Sequence, residues 1–151
     1  MINKLSKDIQ NKWKTIFNNP YKPFGLNWTQ VKKLRHARSG TIGQVELLGH
    51  TCYFNTGNEV LHALDEIFIN EFYKIPFKSS TPLVIDCGAH IGFSVIYTKM
   101  KFPGARVVAF EPDPKNFELL SKNVKSFNLT DVILNNEAVW VDDTELSFAG
   151  T

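Results

Sequence analysis

LVIDCGAHIGFSV, residues 83–95, runs from a β-branched apolar stretch through Asp86 and a glycine-containing turn into a helix-forming stretch that begins near Phe93. A strand that gives way to a helix across so short a turn is a nucleotide-type loop. Gly88 lets the backbone turn sharply and lets a ligand approach it closely, while Gly92 permits tight entry into the helix. Amides at that helix start, together with the macrodipole, suit an anionic group. Ser94, in the first turn, adds a hydroxyl donor for the same group, and Ala89, His90, Ile91 and Phe93 complete the loop.

Downstream the rhythm continues as helix, strand, helix, strand: FSVIYTKM, RVVAF, KNFELLSKNVKSF and DVILN. The strands are short and almost continuously apolar, which predicts parallel strands covered on both faces. They form a βαβαβ unit with right-handed crossovers, and such units take ligands at the carboxyl ends of their strands. AVWV and ELSF, around Asp142 and Asp143, read as a further strand-turn-strand pair.

Upstream, Ile2, Leu5, Ile9, Trp13, Ile16 and Phe17 recur at helical spacing and predict an amphipathic helix. Asn27 is placed as the N-cap of a short helix through Val31 and Leu34, closed by Ser39 and Gly40. TIGQVELL and TCYFN predict a hairpin turning at Gly49 and His50. Val60, Leu61, Leu64, Ile67, Phe68 and Phe72 predict one helix from Glu59 to Tyr73. The organisation expected is a basic helical arm over 1–40, a hairpin and helix over 41–80, and a βαβαβ half-domain over 81–151.

A chain of 151 residues with 43% hydrophobic content can bury roughly two thirds of its unfolded surface, enough for one globular core. No apolar run is long enough to span a membrane, and MINKLSKDIQNKWK lacks the apolar centre of a signal peptide. The two cysteines, Cys52 and Cys87, form no disulfide framework, and Cys87 falls at a strand end expected to be buried. Together these features predict a cytoplasmic protein. The four histidines are scattered, so no metal site is expected. Residues 1–40 hold nine Lys or Arg against one acid, and the remainder holds eight against fourteen. A basic arm on an acidic body suits an anionic partner, whereas a solvated helical face accounts for the same charges; neither carries a strong nucleic-acid signal.

Asp86 separates the loop from phosphate-binding ones. A carboxylate two residues before the first glycine repels a pyrophosphate and attracts a cation, as in S-adenosylmethionine, which has an ammonium and a sulfonium and no phosphate. Glu111 ends the second strand twenty-five residues later, where an acid accepts from ribose hydroxyls. Pro112, Asp113 and Pro114 stiffen the turn into the next helix. At the third strand tip, Glu137 or a neighbouring backbone group would accept from the adenine amine, with Ala138 leaving room for the ring. A nicotinamide dehydrogenase is the enzymatic rival, but Gly88 and Gly92 do not form GxGxxG.

DEIFINEFY, VIDCGAHIGFS, RVVAFEPDPKNFELLSKNV and NEAVW, in that order between Asp65 and Phe148, resemble the FkbM family of methyltransferases. The resemblance implies an α/β, Rossmann-like class I fold, S-adenosyl-L-methionine as methyl donor, and O-methylation of a sugar or other secondary metabolite. By position it puts cofactor contacts on Asp86, Gly88, Ala89, His90, Gly92, Glu111 and the Glu137–Ala138 region. His90 stands where asparagine is common in the family. Of the family's seven strands only those resembling 3, 2 and 1 are expected, and its later KIDIEGAE-like segment is absent. The edge of LVID is therefore expected to be open, either because the chain is a fragment or because another chain, such as a second copy, covers it. A truncated, non-catalytic cofactor-binding or partner-binding chain is the corresponding alternative. No general base is identified.

Overall fold

The computed structural model describes residues 18–37 and 42–142. The helix expected from Ile2 to Phe17, the Ser39–Gly40 closure and the ELSF strand lie outside them.

The chain enters through a 3-10 turn, Lys22–Phe24, and a helix α1, Trp28–Arg35. Asn27 caps α1 as expected: its side chain accepts from the Gln30 amide while the Gln30 side chain accepts from the Asn27 amide. Strands β1, Gly43–Leu47, and β2, His50–Phe54, pair antiparallel with Leu47 opposite His50. The turn is therefore Leu48–Gly49, one residue earlier than expected. Both residues take positive φ, +56° and +82°, as a type I′ turn requires, and an apolar residue at the first position conceals it in the sequence.

The helix expected over 59–73 is shorter and in two parts, α2 over Gly57–Ala63 and a π-helix over Leu64–Ile69. Thr56 and Glu59 form the capping box that starts α2. Val60, Leu61, Leu64 and Ile67 are buried, but Phe72 lies beyond the helix and is exposed. Gly57 packs directly on the backbone of Leu34, so that a Cβ there would collide with the Leu34 carbonyl. Gly57→Ala is expected to cost about 2 kcal/mol by forcing α1 and α2 apart, read as a lower denaturant midpoint; an unchanged midpoint would show that the helices separate freely.

Strands β3, Leu83–Cys87, β4, Arg106–Phe110, and β5, Val132–Asn135, form a parallel sheet in the order β3-β4-β5. Helices α3, Phe93–Lys101, and α4, Pro114–Ser126, make the crossovers. Asp113 caps α4, its carboxylate accepting from the Lys115 and Asn116 amides, with Pro114 at the first helical position. One apolar cluster joins Val107 and Ala109 on the sheet to Val95 and Leu120 on the helices. A second joins Leu26, Val31 and Leu34 to the hairpin, α2, Phe93, Ile96 and Leu119, so the amino-terminal segment and the sheet's helices share packing.

The opposite face of the sheet corrects the expectation of cover on both sides. Ile85, Val108 and Ile133 lie in one register row, and Leu83, Ile85 and Ile133 are 60%, 62% and 57% exposed. Cys87, on the same face, is exposed rather than buried. Both crossovers progress in one direction across the sheet, which places both helices on one side. At the β3 edge of the other side, Ile85 and Cys87 line a hollow with Tyr73, Ile75 and Phe77. The AVWV strand is also absent: Val139, Trp140 and Val141 are exposed and irregular.

Candidate functional site

The carboxyl ends of β3 and β4 carry Asp86 and Glu111, and the loop from Cys87 to Gly92 passes over them. Gly92 caps α3 at φ +97°, where a Cβ would press on the Leu120 side chain. Gly88 also has positive φ, and a Cβ built on it meets no atom within 4 Å. The space beside Gly88 is thus open to a ligand rather than filled by the protein.

Asp86 is half-buried and accepts a 2.5 Å hydrogen bond from Ser94 Oγ. Burial raises its pKa above the usual aspartate value; the Ser94 bond acts in the opposite sense, and the Glu111 charge adds a smaller upward push. The Ser94 hydroxyl, expected to donate to a ligand carboxylate, instead directs its proton at Asp86. Glu111 is only 5% exposed. Its Oε2 accepts from the His90 amide at 2.8 Å and its Oε1 from the Asp113 amide at 2.9 Å. Each oxygen keeps a second lone pair, so the carboxylate holds the loop and can still accept from a ligand hydroxyl.

His90 adopts φ +49°, a left-handed conformation unusual outside glycine and asparagine. Its amide donates to Glu111, and its imidazole Nε2 lies 3.6 Å from Glu59 on α2. Pro112 follows Glu111 in the turn, and the Asp113 carboxylate is occupied in capping α4. Asn136, which opens the NEAVW motif but to which the sequence assigns no role, donates through its side-chain amide to the Glu111 carbonyl at 2.8 Å and ties the β5 tip to the β4 tip. Glu137 and Ala138 follow it and are exposed. Of the expected site residues, the structure brings Asp86, Gly88, Ala89, His90, Gly92, Phe93, Ser94 and Glu111 together.

A cleft of about 450 Å³ opens from this loop toward α2 and the π-helix. Gly88, Ala89, His90, Phe93 and Ser94 form one wall, and Asn58, Glu59, His62, Ala63, Glu66, Ile67 and Tyr73 the other. The second wall is not legible in the sequence, because helical spacing marks which residues are buried and says nothing about which polar ones face a loop some thirty positions away. His62 and Glu66 pair at 3.3 Å. The π-helix is fixed from behind by Tyr21, whose hydroxyl donates to Asp65 at 2.9 Å. Among the described residues no group of three or more His, Cys, Asp or Glu side chains could hold a metal. No described helix is long and apolar enough to cross a membrane.

A parallel β3-β4-β5 sheet with helices crossing on one side, acids at two adjacent strand tips and a glycine loop over them is a Rossmann-like arrangement. Residues 86–150 match the family model described as Methyltransferase FkbM domain. "Methyltransferase sdnD" of Sordaria araneosa is 42% identical over 59 residues, which are 39% of this chain and 23% of that protein. "Methyltransferase 1" of Beauveria bassiana is 31% identical over 83 residues, 54% of this chain and 33% of that one. The chain thus spans a third or less of these curated relatives. Among solved structures, M. jannaschii TYW2 in complex with AdoMet aligns at 20% identity and a TM-score of 0.45, covering 66% of this chain and 44% of that one. The fold assignment rests on the strand order and the family match, not on that likeness.

Proposed function

We propose that this chain forms the cofactor-binding part of an S-adenosylmethionine-dependent methyltransferase that methylates a hydroxyl of a sugar or other secondary metabolite. The observation that carries the proposal is the pair of carboxylates, Asp86 and Glu111, at adjacent strand tips beside the open space at Gly88. The residues fit the cofactor. Asp86 matches its ammonium, the free lone pairs of Glu111 match ribose hydroxyls, and the α3 amino terminus faces the side of its carboxylate. Ala89 and Gly92 keep the loop low enough for close approach. The adenine would lie toward Asn136, Glu137 and Ala138.

When bound, the cofactor supplies a methyl group already activated by its sulfonium. The work left to the protein is mainly to hold that methyl in line with the acceptor oxygen and to exclude water. Glu111 contributes by fixing the His90 and Asp113 amides, so that the loop is set before the ligand arrives. Asp86 argues against a dinucleotide, because a pyrophosphate would lie against its carboxylate. The O-methylation and the sugar or secondary-metabolite acceptor rest on the family likeness.

Calorimetric titration separates the readings. S-adenosylhomocysteine is expected to bind and NAD to bind at least about 100-fold more weakly; tight binding of NAD alone would overturn the assignment.

A further inference from the structure

The cleft between the glycine loop and the π-helix is larger than the contacts assigned to the cofactor require. It shares Gly88, Ala89, His90, Phe93 and Ser94 with the cofactor site, but neither Asp86 nor Glu111 lines it. A molecule held at its far wall would face the bound cofactor across those shared residues. Its far wall is built around Glu59 and Glu66, each facing one histidine, His90 at 3.6 Å and His62 at 3.3 Å. Among the described residues no lysine or arginine lines it. The π-helix, a geometry concentrated at functional sites, puts Glu66 and Ile67 on this wall.

We propose that this cleft is the acceptor site and that it selects hydroxylated acceptors that are neutral or carry an amine, while rejecting phosphorylated or carboxylated ones. This rests on the methyltransferase reading above. Two carboxylates without a compensating lysine or arginine repel an anion, and such like-charge contact is a strong discriminator. The histidines add hydrogen-bonding partners for hydroxyls whichever ring nitrogen carries the proton.

The test uses the intact protein saturated with S-adenosylhomocysteine and three probes: methyl glucoside, glucosamine and glucose 6-phosphate. Glucosamine is expected to bind at least about tenfold tighter than glucose 6-phosphate, with methyl glucoside between them. Glu66 is exposed enough to replace without disturbing the core. Glu66→Lys is expected to close or reverse the gap while leaving the affinity for S-adenosylhomocysteine unchanged, which also reports that the variant is folded. Equal or tighter binding of glucose 6-phosphate by the unaltered protein overturns the proposal, as does no binding of any probe. A fall in S-adenosylhomocysteine affinity in folded Glu66→Lys overturns it differently, by showing that the cofactor fills the cleft. Failure of the unaltered protein to bind S-adenosylhomocysteine would instead defeat the methyltransferase reading itself.

Discussion

Asp86→Asn is expected to weaken binding of S-adenosylhomocysteine about 100-fold, the effect of removing one partner from a partly buried charge pair. Asparagine keeps the shape and can still accept from Ser94, so the loss reports the charge. The same substitution is expected to raise the melting temperature of the ligand-free protein at neutral pH. Burial raises the Asp86 pKa in the folded state, so its ionised form is disfavoured there. A group with a raised folded pKa contributes stability that is fully present below its unfolded value and is lost as pH rises through the folded one. The advantage of asparagine should therefore shrink as pH is lowered toward 3.8, the ordinary aspartate value. Cofactor affinity of the unaltered protein should fall over the same descent, because protonation removes the partner of the ammonium. Unchanged affinity in Asp86→Asn would make Asp86 a structural residue of the turn. A lower neutral-pH melting temperature would show that its charge is satisfied in the ligand-free fold.

Asn123→Ala is expected to destabilise the fold by about 3 kcal/mol, near the upper end for truncating a single polar side chain. Asn123 is fully buried on α4. Its Oδ1 accepts from the Tyr53 amide at 2.7 Å, and its Nδ2 donates to the carbonyls of Tyr53, at 2.9 Å, and Ile91, at 2.7 Å. It thus acts as a substitute strand partner for the outer edge of β2 while holding the loop that leads into α3. Alanine would strand one amide and two carbonyls in a buried site, and each costs about 1–3 kcal/mol if left unpaired. Urea denaturation should show the lower midpoint with little change in slope. A loss below about 1 kcal/mol would mean that water replaces the side chain. Because Ile91 lies in the glycine loop, loosened cofactor binding should accompany the loss of stability.

These two residues differ in how legible they are in the sequence. Asp86 stands out because its distance from Gly88 and its place at the end of LVID carry chemical meaning in one dimension. Asn123 lies in KNFELLSKNVKSF, where an asparagine looks like any polar position on a helix. Its partners are seventy and thirty-two residues away. The hairpin shows the same boundary on a smaller scale. Alternating β-rich runs locate both strands, but the turn residue Leu48 takes a positive φ that its identity gives no reason to expect. AVWV has the composition of a strand and none of the pairing, since strand propensity is realised only where a partner edge is available.

Residue order alone determined the part of this protein built from local rules: the strand and helix rhythm, the glycine turn, the cap at Asn27, the proline entry at Pro114, and the acids at the strand ends. Each depends on backbone geometry over a few residues, so spacing suffices to read it. The tertiary structure decided the rest. Among the described residues it left Leu83, Ile85 and Ile133 exposed on one sheet face, because both crossovers progress the same way, although the strands are apolar on both sides. It turned Ser94 onto Asp86 and engaged one lone pair of each Glu111 oxygen in holding the loop. It also brought Glu59 and Glu66 to face the loop across the cleft. Those arrangements depend on where separate elements come to rest against one another, and no local periodicity encodes the angle at which a π-helix meets a glycine loop.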